Sequence, residues 1–72
     1  MTLKEIGVNH TCIVSKVVGD KAIKKRLMDM GIIKGVSIKV VKIAPLGDPI
    51  QIELKGYELT IRKEEADKII VG

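Results

Sequence analysis

The sequence predicts a mainly β fold: a small SH3-like barrel of five short strands, with one inserted amphipathic helix and a short C-terminal helical turn. Apolar and polar residues alternate in three segments after residue 35, which is the period of half-buried strands. Only one segment repeats its apolar residues with helical spacing. The chain has 72 residues, enough for a single small domain spanning 1–72. Closing such short strands into a barrel buries their apolar faces and removes exposed edges.

The N-terminal segment is predicted to form a short helical turn that precedes the first strand. Thr2 stands before this turn and Glu5 follows three residues later, which is the spacing of a capping box. Leu3 and Ile6 fall on one face of the turn and are expected to reach the core. Residues 12–18 are β-rich in composition, but their alternation is imperfect, so the two faces of this strand are left unassigned.

A single amphipathic helix is predicted over residues 20–30. Asp20 is a favourable N-cap residue, and Gly31 stands where the end of a helix requires the left-handed conformation. At about 100° per residue, the apolar side of the helix consists of Ile23, Leu27 and Met30. The opposite side carries Lys21, Lys24, Lys25 and Met28, and Arg26 flanks the apolar side.

Three alternating segments supply the next strands. The segment 36–43 changes phase at Val40 and Val41, which predicts a β-bulge, and bulges allow a sheet to bend or to close. The segments 50–54 and 57–61 are separated by two residues, Lys55 and Gly56. This spacing predicts a tight hairpin with a positive φ at the glycine.

The end of the chain is predicted to form a short helical turn over 62–68 and a last strand over 69–71. Glu64 and Glu65 belong to that turn, and both are expected to be solvated. No internal repeat, linker or low-complexity segment interrupts the chain. The sum is five strands, with the helix inserted after the first.

The charge of the chain predicts a basic surface, because 13 Lys and Arg face 9 Asp and Glu for a net charge of +4. Small barrels that bind single-stranded nucleic acid stack the bases on exposed aromatic side chains. Tyr57 is the single aromatic residue, and its strand phase places it with Leu59 and Ile61, which are expected to face the core. The lysines are dispersed over every element. We therefore interpret the charge as a solvated surface and expect no nucleic-acid partner.

Other classes of protein are excluded by composition. No apolar run approaches the roughly 20 residues of a membrane-spanning helix, and no signal peptide is apparent. Cys12 is the single cysteine and forms no internal disulfide, which agrees with a reduced, cytoplasmic setting. No Gly-rich phosphate loop and no nucleophile with a nearby base is present, so no enzyme is predicted.

His10 and Cys12 are the candidate metal ligands. They lie two residues apart, so both would point to the same side of an extended strand. Imidazole and thiolate both bind divalent transition metals such as Fe²⁺. Two ligands do not close a site, however, and a second chain or a carboxylate such as Asp48 would have to complete it. The alternative interpretation makes His10 a loop residue and Cys12 a small core residue.

The run APLGDP at residues 44–49 is the most informative loop. Its two prolines restrict φ near both ends and Gly47 permits a sharp reversal, so the loop should be stiff. Leu46 at its centre is either exposed or folded onto the end of the barrel. A stiff loop loses little entropy on binding, so an exposed Leu46 would suit a partner contact. Met28, alone among the helix lysines, is a second candidate contact point.

The combination of this loop with the helix end is specific. The chain carries Arg26-Leu27, Met30-Gly31, Gly35 and the APLGDP run, and it also carries Leu3, Ile6, Gly7, Gly56, Leu59, Ile61-Arg62, Glu65-Ala66, Ile69 and Val71. Together these residues resemble the FeoA family, ferrous iron transport protein A, over nearly the whole chain. Ile61 is a mild departure, since many relatives have leucine there.

The resemblance implies an SH3-like fold and a small accessory protein of bacterial ferrous iron uptake, cytoplasmic and placed at the inner face of the cell membrane. Its partner would be the cytoplasmic G-protein part of FeoB, a membrane transporter. The same domain type also occurs at the C-terminus of metal-dependent repressors. A transition-metal-binding regulatory module is therefore the alternative function, and a nucleic-acid-binding barrel is a third.

Four residues are expected to contact the partner. Arg26 and Met28 lie on the helix, and Leu46 and Asp48 lie in the loop. Arg26 and Asp48 would supply polar anchoring, while Met28 and Leu46 would supply apolar contact. No catalytic residue is predicted.

Overall fold

The computed structural model describes all 72 residues and confirms the predicted mainly β fold. Its strands and helices, in chain order, are β1 (Thr11–Val17), α1 (Lys21–Asp29), β2 (Ser37–Ile43), β3 (Ile50–Leu54), β4 (Tyr57–Ile61), α2 (Lys63–Ala66) and β5 (Ile69–Val71). Two short 3₁₀ turns, Leu3–Glu5 and Pro45–Gly47, precede β1 and β3. No helix has the length and apolar character needed to cross a bilayer.

The five strands form one antiparallel sheet in the order β4-β3-β2-β1-β5. β1 joins the two parts of the sheet, because Thr11–Ile13 pair with β2 and the following residues pair with β5. β4 and β5, at the two ends of this order, are connected by α2. Thr2 adds an isolated bridge to Ile70 of β5 and so continues the sheet beyond β5.

Two register shifts bend the sheet. The first lies between Val40 and Lys42 of β2, as the change of phase in the sequence predicts. The second lies between Val14 and Lys16 of β1. It explains why the alternation in the first strand is imperfect, since an extra residue moves the following side chains to the other face.

The core is wholly aliphatic, as a chain with no Phe and no Trp requires. Its 13 buried hydrophobic residues are Leu3, Val14, Leu27, Ile32, Ile38, Val40, Ile50, Ile52, Leu54, Ile61, Ala66, Ile69 and Val71. They come from every strand, from both helices and from the N-terminal turn, so a single core connects all the elements. Burying aliphatic side chains is the main favourable contribution to a fold of this size.

α1 has the ends that the sequence predicts. The Oδ1 atom of Asp20 accepts a hydrogen bond from the backbone N–H of Ile23 at 2.9 Å, and Gly31 has φ +90° just after the helix. Leu27 is fully buried, and Ile23 and Met30 are partly buried against the core.

Two predictions about carboxylates are wrong, and each has its own physical reason. The expected capping box at Thr2 and Glu5 does not form: Thr2 bridges to Ile70 of β5, and its Oγ1 atom is buried there without a hydrogen-bond partner. Half of a capping box forms at α2 instead, where Glu65 Oε1 accepts from the backbone N–H of Arg62 at 2.8 Å. Glu65 is therefore buried and not solvated, while Glu64 is exposed.

The prediction that Tyr57 faces the core is also wrong. Tyr57 begins β4 and remains 44% exposed, although Ile61 in the same phase is fully buried. The phenol lies across the end of α1, where its hydroxyl donates to the backbone carbonyl of Met30 at 2.7 Å. The phenolic O–H thus supplies a donor to a carbonyl at the helix end, where backbone carbonyls have no intrahelical partner.

Candidate functional site

Two of the four expected contact residues lie in one recess, at the start of α2. Arg26 of α1 and Asp48 of the proline-rich loop both line it, together with Arg62 and Glu65. The Nε atom of Arg26 lies 3.1 Å from Glu65 Oε2, and Asp48 Oδ1 accepts from the backbone N–H of Lys63 at 3.0 Å. Residues far apart in the sequence are thus brought together because both the helix and the loop bind to α2.

Arg26 connects α1 to α2 through a carboxylate that is only 6% exposed. Glu65 needs this partner, because a buried carboxylate without compensating hydrogen bonds is costly. The Arg26 side chain itself remains 65% exposed, so its outer edge is accessible while its Nε is engaged. Its first role in this structure is to hold the two helices together.

The proline-rich loop is held at three points. The N–H of Ala44 donates to the carbonyl of Pro49 at 3.0 Å, and the N–H of Gly47 donates to the carbonyl of Ala44 at 2.9 Å. Asp48 supplies the third contact, to α2. These hydrogen bonds fix the conformation of the loop through contacts within the chain, which is consistent with the restriction of φ by the prolines.

Leu46 projects from the apex of this loop with 98% of its surface exposed, so the structure favours the exposed alternative over the folded one. Its φ of +71° lies in the left-handed region, which a branched side chain rarely adopts. Residues in sparsely populated conformations cost about 1–3 kcal/mol and concentrate at functional sites. A leucine that is both strained and fully exposed is the strongest sign of a contact site in this molecule.

Met28 lies outside the recess that Arg26 and Asp48 share. It is 60% exposed on α1 and lines a separate groove of about 240 Å³, which we call the Met28 groove. Its lining residues are Ser15, Lys16, Val17, Lys24, Met28, Ile32, Ile33 and Lys34. The predicted contact residues therefore divide into a polar recess with the projecting Leu46 loop, and an apolar groove with lysines around it.

His10 and Cys12 do not come together with other metal ligands. The structure contains no group of three or more His, Cys, Asp or Glu side chains placed to hold a metal ion. The Sγ atom of Cys12 donates to the backbone carbonyl of Ile38 at 3.7 Å, and burial raises the pKa of this thiol above its ordinary 9.0. His10 precedes β1 and is exposed. The geometry agrees with the alternative interpretation of a loop histidine and a largely structural cysteine.

Two features of the site are missed by sequence reasoning. Glu65 carries a signal that could have identified it, because it stands three residues after the N-cap of a short helix. The Met28 groove carries no local signal, since Lys16, Lys24 and Lys34 come from a strand, a helix and the segment after the helix.

Comparison with known proteins gives a match to the FeoA domain over residues 1–72. A curated relative in Porphyromonas gingivalis, a fusion of Fe(2+) transport protein A with the Fe(2+) transporter FeoB, is 35% identical over 71 residues. The match covers 99% of this chain and 8% of the fusion protein, so the chain corresponds to a small part of that relative.

Solved structures agree in sequence and in fold. The FeoA protein of Chlorobium tepidum is 41% identical with a TM-score of 0.90, over 99% of this chain and 68% of that one. A second, the FeoA of Stenotrophomonas maltophilia in complex with zinc, is described as a prokaryotic SH3 domain protein. It is 28% identical with a TM-score of 0.86, over 100% of this chain and 89% of that one.

Proposed function

This chain belongs to the FeoA domain family, and we propose that it is an accessory protein of ferrous iron uptake that acts by binding the cytoplasmic part of a FeoB-type transporter. In this proposal it acts on the cytoplasmic side of the membrane and carries out no chemistry of its own. Arg26, Met28, Leu46 and Asp48 remain the proposed contact residues.

The fused relative supports the choice of partner. In Porphyromonas gingivalis a segment similar to this entire chain is part of one polypeptide with the transporter FeoB. Fusion keeps two domains at a high effective concentration, which is useful when the two bind each other. A domain of the same family needs a binding surface to contact the same partner.

The observation that carries the proposal is Leu46 at the apex of its ordered loop. An apolar side chain that is fully exposed, on a backbone that is already ordered, can bind a pocket with little further loss of entropy. Asp48, close behind it, links the loop to the recess that contains Arg26. We infer that Leu46 supplies the apolar contact and that the recess supplies the polar ones.

The test is a binding measurement with the purified cytoplasmic part of the FeoB-type transporter encoded in the same genome. We expect Leu46→Asp to weaken binding about 30-fold, as the loss of a hot-spot residue does. Aspartate tolerates the left-handed conformation of this position, so the variant should keep its fold.

Val8→Asp is the matched control, because Val8 is another exposed hydrophobic residue outside this loop. It should bind as the unmodified protein does. If Leu46→Asp bound equally well, the loop would have no part in the contact. If the unmodified protein did not bind, the transporter contact itself would be refuted.

A further inference from the structure

The Met28 groove exposes an apolar surface that the proposed recess does not use. Val17 of β1 and Ile33 after α1 form its sides together with Met28, and the fully buried Ile32 forms its base. Met28 and Ile33 are both exposed, although side chains of this kind are usually buried. Concave apolar surface of this sort is a common feature of binding sites.

The charges around the groove are all of one sign. Lys16, Lys24 and Lys34 line it, and no Asp or Glu does. None of these three lysines forms an ion pair in the structure, whereas Lys4, Lys25 and Arg26 do. Three unpaired ammonium groups around an apolar base would attract a carboxylate-rich ligand.

The size of the groove selects the kind of ligand. Sites for small molecules commonly have about 300–1,000 Å³, and this groove has about 240 Å³. It is large enough for apolar side chains of a polypeptide and small for an independent organic ligand. A segment of protein also extends past the groove, so its flanking residues can reach the lysines.

We propose that the Met28 groove docks an acidic amphipathic segment of a partner protein. One apolar side chain of that segment packs between Met28 and Ile33, and its Asp or Glu residues pair with Lys16, Lys24 and Lys34. The proposal rests on the proposed function only for the identity of the protein that carries the segment. The chemistry of the segment follows from the groove alone.

An anionic membrane surface would also supply negative charge to the three lysines. The shape of the groove, however, favours a polypeptide as the ligand. A membrane takes up side chains that project from a protein, as on an amphipathic interfacial helix. Met28 and Ile33 are exposed at the rim of this groove, but Ile32 beneath them is buried, so an inserted side chain of a polypeptide can fill the groove whereas a flat lipid surface would contact only its rim.

The test uses a fluorescein-labelled synthetic peptide in which leucines at helical spacing are separated by glutamates, with fluorescence anisotropy as the readout. We expect the full chain to bind it, and Lys24→Glu and Lys34→Glu to weaken binding by about fivefold each. Met28→Asp places a carboxylate beside the apolar base and should weaken binding by at least about tenfold. Met28 is exposed, so circular dichroism should show an unchanged fold.

Lys42→Glu is the matched control, since it makes the same change of charge in a different recess. It should alter the affinity by less than about twofold if the groove is the site. A second control is the same peptide with alanine in place of leucine, which should bind more weakly.

Four results would overturn the proposal: no binding of the leucine–glutamate peptide, equal binding by Met28→Asp, an equal loss in Lys42→Glu, or equal binding of the alanine peptide. Vesicles of phosphatidylglycerol serve as the alternative probe. If they bound in a Met28-dependent way while the peptide did not, the ligand would be a lipid surface.

Because no transporter is used, the result is separate from the Leu46→Asp measurement, and either proposal can fail alone.

Discussion

At the scale of single residues, Glu65 connects the start of α2 to α1. One carboxylate oxygen accepts from the backbone of Arg62 and the other faces Arg26 of α1. Both interactions are made by a side chain that is almost completely buried. A change at Glu65 should therefore affect the relative position of the two helices as well as the stability of α2.

Glu65→Gln tests this role. The amide keeps one oxygen as an acceptor but loses the charge that faces Arg26, so we expect the free energy of unfolding to fall by about 1–3 kcal/mol. For a domain of this size, each kcal/mol lowers the melting temperature by about 4–8 °C. The change in melting temperature can be measured by thermal unfolding, with circular dichroism as the readout.

Glu64→Gln is the control, since the Glu64 carboxylate is exposed and forms no ion pair with Arg26. It should stay within about 0.5 kcal/mol of the unmodified protein. Equal stability of the two variants would show that the ion pair contributes nothing.

Individual side chains were harder to predict than the elements that carry them. The sequence makes Leu46 a contact candidate because its loop is defined by prolines, whose effect on φ is local; the contact itself stays a prediction. The predicted position of Tyr57 is wrong because it depends on a partner distant in the sequence, the carbonyl of Met30. For Glu65 the spacing from the N-cap of α2 is a local signal, but its contact with Arg26 of α1 has none. Strand or helix phase alone does not contain that information.

At the scale of elements, the end of α1 depends on a close contact with β4. A Cβ atom added at Gly31 would lie 2.7 Å from the hydroxyl oxygen of Tyr57, and the φ of +90° is also unfavourable for any other residue. Gly35 has the same φ but no atom within 4 Å of its Cβ position. Replacing Gly35 by alanine therefore measures the cost of the backbone conformation alone, and replacing Gly31 adds the cost of the steric contact.

We expect Gly31→Ala to lower the free energy of unfolding by about 0.5–1.5 kcal/mol more than Gly35→Ala does, because the added methyl group displaces the Tyr57 hydroxyl from its hydrogen bond to Met30. In the Gly31→Ala background, Tyr57→Phe should recover part of that difference, because it removes the oxygen that the new methyl group meets. Chemical denaturation of the single and double variants gives the coupling energy. Strict additivity of Gly31→Ala and Tyr57→Phe would contradict this account.

The elements themselves were largely predictable. The helix ends, the hairpin at Lys55 and Gly56 and the bulge in β2 all depend on neighbours within a few residues, and the structure confirms them. The bulge in β1 was visible only as a broken alternation, so the sequence indicated an irregularity without its cause.

At the scale of the whole molecule, the N-terminal turn closes the side of the barrel next to β5. Leu3 is 1% exposed and belongs to the core, and the N–H of Val71 donates to the carbonyl of Met1. The first residues of this chain are thus a structural part of the domain and not a flexible end.

Leu3→Ala should lower the free energy of unfolding by about 2–5 kcal/mol, a large fraction of the total for a small domain. Val8→Ala, at an exposed position a few residues later, should change it by less than about 0.5 kcal/mol. Chemical denaturation of both variants measures the difference. A small loss for Leu3→Ala would mean that the core persists without the N-terminal turn.

The candidate site was predictable only in part at this scale. The family resemblance and the local motifs led to the loop and the helix, but they could not show that Arg26 and Asp48 share one recess while Met28 lies in another. That division is a product of the fold, which places α2 in contact with both the loop and α1 and leaves Met28 beside β1.

The position of Tyr57 also gives this protein a built-in optical probe. It is the single Tyr in a chain without Trp or Phe, so any ultraviolet absorbance or fluorescence that comes from aromatic side chains arises at this one place. Its hydroxyl is bonded to Met30, two residues beyond Met28 on the same chain. A ligand that shifts the end of α1 should therefore change the tyrosine spectrum, and binding could be followed without a label.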